Sequence, residues 1–299
     1  MPKILIVTND FSPRTGGIQS FVHALAMRMP AGAVVVYAPA WEGAYTYDRA
    51  LPFPVVRHPT SLMLPLPSVH DRAARLLIEH GCDTVLFGAA APLGLIAPAM
   101  RRAGARRIVA LTHGHEAGWA ALPGARGALR RIGESVDALT YLSEYFRLRL
   151  AQALSPAAAA RMVRLAPGVD TTTFRPGAGG AGIRERFGLA DRPIVVCVSR
   201  LVTRKGQDTL IRAWPEVRAA DGIRPALLLV GGGPAAGRLR RLARRLGVAE
   251  AVLFTGESCS PAKCRTRSCP PTTTPQTYSR CRAAPAWAAS TSKASAWCT

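Results

Sequence analysis

The feature that most constrains this chain is a rhythm that runs through it twice: a short apolar run, a stretch of helical periodicity, then another apolar run. KILIVT, from Lys3, reads as a strand and GIQSFVHALAMRM, from Gly17, as an amphipathic helix; AVVVYA, TVLFGA and RIVALT read as further strands. Short apolar strands alternating with helices indicate a parallel sheet wound with helices, whose functional end is the carboxyl end of its strands. LAPGVDTTTFRPGAGGAG, from Leu165, is rich in Pro, Gly and Thr and reads as a linker. The rhythm then restarts with PIVVCVS, QDTLIRAWPEVRAA, ALLLV, AAGRLRRLARRLG and AVLFTG. The expected fold class is therefore α/β, two tandem Rossmann-like domains with an interdomain cleft. The first covers residues 1–165, the linker 166–182 and the second 183–257.

After Glu257 the rhythm stops. Residues 258–299 contain no Leu, Ile, Val, Met or Phe, so the segment has no apolar face of either period and is expected to be disordered. The second domain has three strands by that point, about half of a full Rossmann unit, and is expected to be truncated. Five of the seven cysteines (Cys259, Cys264, Cys269, Cys281 and Cys298) fall in this tail. Their C-x4-C-x4-C spacing matches no familiar zinc pattern, and disulfides are not expected in a cytoplasmic protein.

MPKILIVTND reads as a strand, and a signal peptide is not expected there. The most apolar window, VLFGAAAPLGLIAPAM from Val85, is shorter than the roughly 20 residues a membrane span needs. Pro92 and Pro98 interrupt it, which predicts a buried strand followed by a helix. The expected location is cytoplasmic. The net charge of +21 invites a polyanionic partner. Of the 39 basic residues 35 are arginine, which fits GC-rich coding as well as a functional demand. Removing the six basic residues after Glu257 still leaves +15. No aromatic-interleaved basic motif or recognition helix accompanies the charge, so nucleic acid is not an expected partner.

Four stretches hold residue types suited to chemistry. In NDFSPRTGGIQSF a strand feeds a loop with Gly16 and Gly17, and a helix follows. Glycines there let backbone amides approach an anion at a helix amino terminus, where the dipole favours negative charge. An ordinary strand-to-helix turn would use the same residues. Asp10 stands where the strand ends, as a cleft carboxylate or a loop cap. THGHE places His113 and His115 just beyond RIVALT. An H-x-H pair can ligate a metal, but no third ligand stands at a recognisable spacing, so no metal is expected. His113 is placed to touch a substrate; the alternative is a structural hydrogen bond. In SRLVTRKGQDTL, Arg200 follows a strand and Lys205 precedes the next helix. A guanidinium fork with a point charge suits a diphosphate gaining charge as it leaves, against the alternative of a solvated basic loop. VGGGPAAG adds a second glycine-rich turn for close backbone approach to a nucleotide.

With FGAAAPL, LPGARGALRRIGESVD, APGVDTTTFRP and FTGE, these stretches occur in an order and spacing that resemble the retaining, two-Rossmann-domain glycosyltransferases of family four, over residues 1–257. Within that family the likeness is to enzymes that move mannose from GDP-mannose to a phosphatidylinositol mannoside. The resemblance implies that Gly16 and Gly17 lie against the donor diphosphate and that Arg200 and Lys205 stabilise it as it departs. It implies that His113 contacts the transferred mannose, with Asp10 nearby on the acceptor side. It implies front-face transfer with no obligatory metal or other cofactor. An anionic inositol lipid as acceptor implies peripheral contact with the inner face of the plasma membrane, for which RGALRR, from Arg126, is the candidate patch. A UDP-sugar donor is the alternative within the family. A non-catalytic remnant that binds anionic lipid is the alternative outside it.

The family pattern continues past FTG with an apolar helix, a strand and an acidic E-G-[FL]-G motif, none of which the tail contains. Displacing the reading frame, so that each codon takes the last base of one triplet and the first two of the next, permits YYDAADVFAMPCRTRLGGLDVEGLGMVY from Pro271 onward. That decoding restores apolar periodicity and E-G-L-G, its glutamate arising across Ser292 and Lys293. The tail cysteines are then products of the frame, and the chain as written is expected to be impaired.

Overall fold

The computed structural model describes residues 2–219 and 224–256, which belong to two compact units, Met1–Gly168 and Val169–Thr299. The tail expected to be disordered, with its five cysteines, lies outside the described residues.

In the first unit β1 (Ile4–Val7), β2 (Val34–Pro39), β3 (Val55–His58), β4 (Thr84–Phe87), β5 (Arg107–Ala110), β6 (Ala138–Tyr141) and β7 (Met162–Arg164) form one sheet. All pairs are parallel, in the order β3-β2-β1-β4-β5-β6-β7. The chain works outward from β1 on one side and then returns to add β4 on the other. The order reverses at β1 and β4, which is where such sheets open a crevice beyond their carboxyl ends. The helices are α1 (Gly17–Met27), α2 (Ala44–Asp48), α3 (Pro67–Glu79), α4 (Ala97–Arg102), α5 (Glu116–Ala121), α6 (Pro123–Ser135), α7 (Glu144–Ala151) and α8 (Pro156–Ala160).

Alternate side chains of each strand enter opposite faces of the sheet, as the pleat requires. Leu5, Val7, Val35, Tyr37, Val85 and Phe87 pack with Val69, Ala73, Leu76 and Leu77 of α3. Ile6, Val34, Val36, Ala38 and Leu86 pack with Val22 and Ala26 of α1. With both faces covered, Leu5, Ile6 and Val7 are fully buried. The apolar window from Val85 is a strand, a 3-10 turn (Leu93–Ile96) and α4, as its prolines predicted. Pro98 stands in the first turn of α4, where its missing N–H leaves no hydrogen bond unmade.

The second unit contains α9 (Gly180–Arg186), β8 (Ile194–Val198), a 3-10 turn (Thr203–Lys205), α10 (Gln207–Ala219), β9 (Ala226–Val230), α11 (Ala236–Arg245) and β10 (Val252–Phe254). Its parallel sheet has the order β10-β9-β8. Ile211 and Trp214 of α10 and Leu239 and Leu242 of α11 pack on Leu227 and Leu229 of β9. Helix α9 begins inside the stretch expected to be linker, because Gly179, at φ 78°, turns the chain into it. Ahead of that helix Asp170 accepts hydrogen bonds from the amides and hydroxyls of Thr172 and Thr173. These bonds hold its carboxylate down at about 2. Among the described residues no helix is long and apolar enough to cross a membrane.

Candidate active site

The site in the first unit is built at the carboxyl ends of β1, β4 and β5. Beyond β1 the buried Thr8 hydroxyl accepts from the Asp10 amide at 2.9 Å. Asn9 exchanges two hydrogen bonds with the Met63 backbone, at 2.9 and 2.7 Å, which ties this loop to the one after β3. Asp10 accepts at Oδ1 from Gln19 Nε2 at 2.6 Å, and Gln19 is buried in the first turn of α1. A Cβ at Gly16 would stand 2.1 Å from Gln19 Oε1, so a side chain there would shift the glutamine that holds Asp10. Gly17 is different, because apart from its chain neighbours and its own helix backbone no atom lies within 4 Å of where its Cβ would be. Helix α1 has no side-chain cap and no acidic residue in its first turn, so its leading amides keep their affinity for an anion.

His113 is fixed from three sides. Thr112 donates from Oγ1 to the Thr140 carbonyl at 2.6 Å and thereby anchors the end of β5 to β6. His113 Nε2 lies 2.6 Å from the Gly88 carbonyl. A carbonyl only accepts, so this bond puts a proton on Nε2 and leaves Nδ1 as the acceptor of the neutral ring. Gly88 must be glycine for this to happen, since a Cβ would stand 2.5 Å from Thr8 Oγ1. The third support is Phe21 of α1, whose ring meets the imidazole edge to face at 5.6 Å.

Sequence reasoning passed over two residues. Glu116, the first residue of α5, is fully buried; it accepts from the His113 amide at 3.0 Å and lies 3.5 Å from His115 Nε2. An acidic residue three positions after His113, opening a helix, was the available signal. Gln19 carried no such signal, because its partner Asp10 meets it only once the loop has folded. His115 is more exposed than His113 and stacks on it at 6.4 Å.

In the second unit Arg200 and Lys205 occupy the loop between β8 and α10. The buried Gln207 donates to Ser199 Oγ at 2.7 Å and to the Arg200 carbonyl at 3.1 Å, while Gly206, at φ 71°, turns the chain into the helix. Both cations are exposed, and neither makes an ion pair among the described residues. The VGGGP glycines meet the backbone of the loop after β8. A Cβ at Gly231 would stand 2.2 Å from the Ser199 carbonyl, and one at Gly233 2.4 Å from that of Leu201. The two turns are further joined by Leu201 N–H to the Gly232 carbonyl at 2.8 Å. Those glycines let one loop brace the other.

RGALRR lies within α6, where Arg126 donates to the Gln152 carbonyl and Arg130 pairs with Glu134. Among the described residues no group of three or more His, Cys, Asp or Glu side chains converges to hold a metal.

A histidine thus stands at the carboxyl end of the parallel sheet in the first unit, and an exposed cationic loop follows β8 in the second. The glycosyltransferase family 4 model matches residues 15–173, and the glycosyl transferases group 1 model matches residues 182–263. The chain belongs to this glycosyltransferase family. It is 56% identical over 257 residues to a GDP-mannose-dependent alpha-(1-6)-phosphatidylinositol monomannoside mannosyltransferase of Mycolicibacterium smegmatis, a match covering 84% of the chain and 66% of that protein. It is 53% identical over 264 residues to the Mycobacterium tuberculosis protein of the same name, covering 86% and 68%. The chain thus spans about two thirds of the length of these relatives. The solved structure of Anabaena HepE in complex with UDP shares the fold, with a TM-score of 0.68 at 20% identity over 86% of this chain and 70% of that one.

Proposed function

We propose that the chain derives from an enzyme of the reaction named for its mycobacterial relatives, transfer of mannose from GDP-mannose to a phosphatidylinositol mannoside with retention at the anomeric carbon, and that as written it is impaired in that reaction. The observation that carries this reading is the identity of 53–56% over most of the chain. The bond between mannose C1 and its phosphate oxygen breaks as an acceptor hydroxyl attacks C1 from the same face. The departing phosphate takes the hydroxyl proton, and GDP leaves. Arg200 and Lys205 supply the positive charge that the departing diphosphate needs. The amides at Gly16 and Gly17 receive phosphate oxygens, for which the open side of Gly17 leaves room. His113 offers Nδ1 to a mannose hydroxyl while Nε2 stays on Gly88. Asp10, steadied by Gln19, serves the acceptor side. No metal or other cofactor is invoked.

A lipid acceptor requires peripheral contact with the inner face of the membrane. Helix α6 supports this, with exposed Arg126, Arg130 and Arg131 and with Leu122 at its cap 62% exposed. We also read the segment after Glu257 as frame-displaced. Its lack of Leu, Ile, Val, Met and Phe and the end of the second family match at residue 263 support that reading. Sequencing across the codons for Gly256 to Lys263 tests the frame. Transfer by the frame-corrected protein, with donors compared and product configuration read by NMR, tests the reaction. An α-mannoside formed from GDP-mannose is expected. An inverted product, or a clear preference for a UDP-sugar, would sink it.

A further inference from the structure

A second concave site lies in the first unit, at the carboxyl ends of β2 and β3 beside α3. It is a cavity of about 210 Å³ lined by Tyr37, His58, Ser68, Arg72 and Arg75, with Arg57 and Pro59 as its remaining wall. No residue lining it belongs to the site described above. Its chemistry is one-sided: every polar side chain in the lining is a hydrogen-bond donor, and there is no carboxylate. Arg57 is already committed, with two bonds to the Asp48 carboxylate at 2.9 and 2.7 Å and others to the Pro39 and Ser12 carbonyls. The remaining donors are less committed. Ser68, Arg72 and Arg75 stand at spacings of four and three on α3, hence on one helix face. Ser68 and Arg75 have no side-chain partner among the described residues, and Arg72 reaches only the exposed Glu79 at 3.2 Å. His58 Nδ1 lies 2.8 Å from Thr60 Oγ1 and 3.2 Å from the Thr60 amide, so its polar contacts stay within its own loop.

The decisive residue is Tyr37. It is fully buried, yet its hydroxyl has no hydrogen-bond partner among the described residues. An unpaired buried hydroxyl is costly and calls for an explanation. Burial pushes its pKa up to about 12, against the pull of Arg72 and Arg75, so at neutral pH it keeps its proton and remains a donor.

We propose that this cavity binds a phosphate group, which takes the Tyr37 hydroxyl, Ser68 and the two guanidinium groups of Arg72 and Arg75 as donors. Arginine forks match tetrahedral oxyanions, and charge-assisted bonds of this kind are the stronger ones. The volume admits a phosphate with part of whatever carries it. The carrier is either a soluble phosphate ester or the headgroup of a phospholipid.

The test uses the full 299-residue chain. Sodium phosphate is titrated calorimetrically at fixed ionic strength into the wild type, Tyr37→Phe and Arg75→Gln. Sedimentation with phosphatidylinositol vesicles is compared with phosphatidylcholine vesicles. Tyr37→Phe removes only the unpaired hydroxyl, so its unliganded melting temperature should match or exceed that of the wild type. Each variant should weaken phosphate binding about tenfold or more, the effect of losing a bond to a charged group. Weaker binding of phosphate alone identifies a soluble ester; a parallel loss on phosphatidylinositol vesicles identifies a headgroup. A wild type that binds neither probe, or variants that bind as well as the wild type, would overturn the proposal.

Discussion

β1 and β8 are counterparts. Each is the first strand of its unit, each is apolar throughout, and each feeds a loop with candidate functional residues. Their surroundings differ. β1 pairs with β2 and β4, and Leu5, Ile6 and Val7 are fully buried. Among the described residues β8 pairs only with β9, and Val195 and Val198 are 40% and 65% exposed. Nothing in Val-Val-Cys-Val is less suited to burial than Leu-Ile-Val. The contrast teaches that an apolar run specifies a strand, while its neighbours decide whether burial is realised. An apolar edge also presents unpaired backbone groups to other chains.

The largest expected effects test whether the two units contribute to one reaction. In the frame-corrected protein, Arg200→Ala or Lys205→Ala should lower turnover about a hundredfold or more, as for lost leaving-group stabilisation. His113→Ala should cut transfer as severely while leaving GDP affinity almost intact. Near-normal rates in both cation variants would remove the second unit's loop from the mechanism. Should GDP affinity collapse while the rate at saturating donor holds, His113 loses its assignment.

Stability comes next. Ile6→Ala and Ile211→Ala each delete a fully buried isoleucine, at about 2–5 kcal/mol apiece. Denaturation followed by probes in each unit should show the Ile211 variant unfolding the second unit under conditions where the first persists. A single coincident transition for both variants would abolish the distinction. A smaller effect is local. Hydrogen exchange at the β8 amides facing away from β9 should be orders of magnitude faster than at β1, and Val198→Lys should cost under about 0.5 kcal/mol while reducing self-association. Equal protection of both strands would show β8 to be covered.

The smallest effect concerns pH. Asp170 has a folded pKa near 2, depressed from 3.8 by the threonine hydrogen bonds. Its stabilising contribution is therefore complete above the unfolded pKa and lost as pH falls from about 4 through 2. Asp170→Asn should flatten that limb slightly, measured as melting temperature against pH. No change in slope would mean that the threonine contacts do not persist in solution.

Much of the scaffold was legible because strands with an apolar run of three or more residues leave little choice: β1, β2, β4, β5, β8, β9 and β10 all stand where their apolar runs are. β3, β6 and β7 were missed. Val-Val-Arg-His and Met-Val-Arg carry charge and are only half-buried or exposed, and Ala-Leu-Thr-Tyr has no apolar run of useful length. Candidate site residues at strand ends could be named from position alone. Their supports could not, since Gln19 meeting Asp10, Gly88 meeting His113 and Tyr37 lining a cavity are products of tertiary placement. The VGGGP glycines were legible as a close approach, but not as an approach of backbone to backbone.

The central claim is that a family-four mannosyl transfer belongs to this chain and depends on completing the second unit's sequence in the displaced frame. The most direct measurement is transfer of labelled mannose from GDP-mannose to a phosphatidylinositol mannoside, by the chain as written and by its frame-corrected form at equal concentration. The account predicts robust transfer by the corrected form and none measurable by the chain as written. Transfer at comparable rates by both, or by neither, would contradict it.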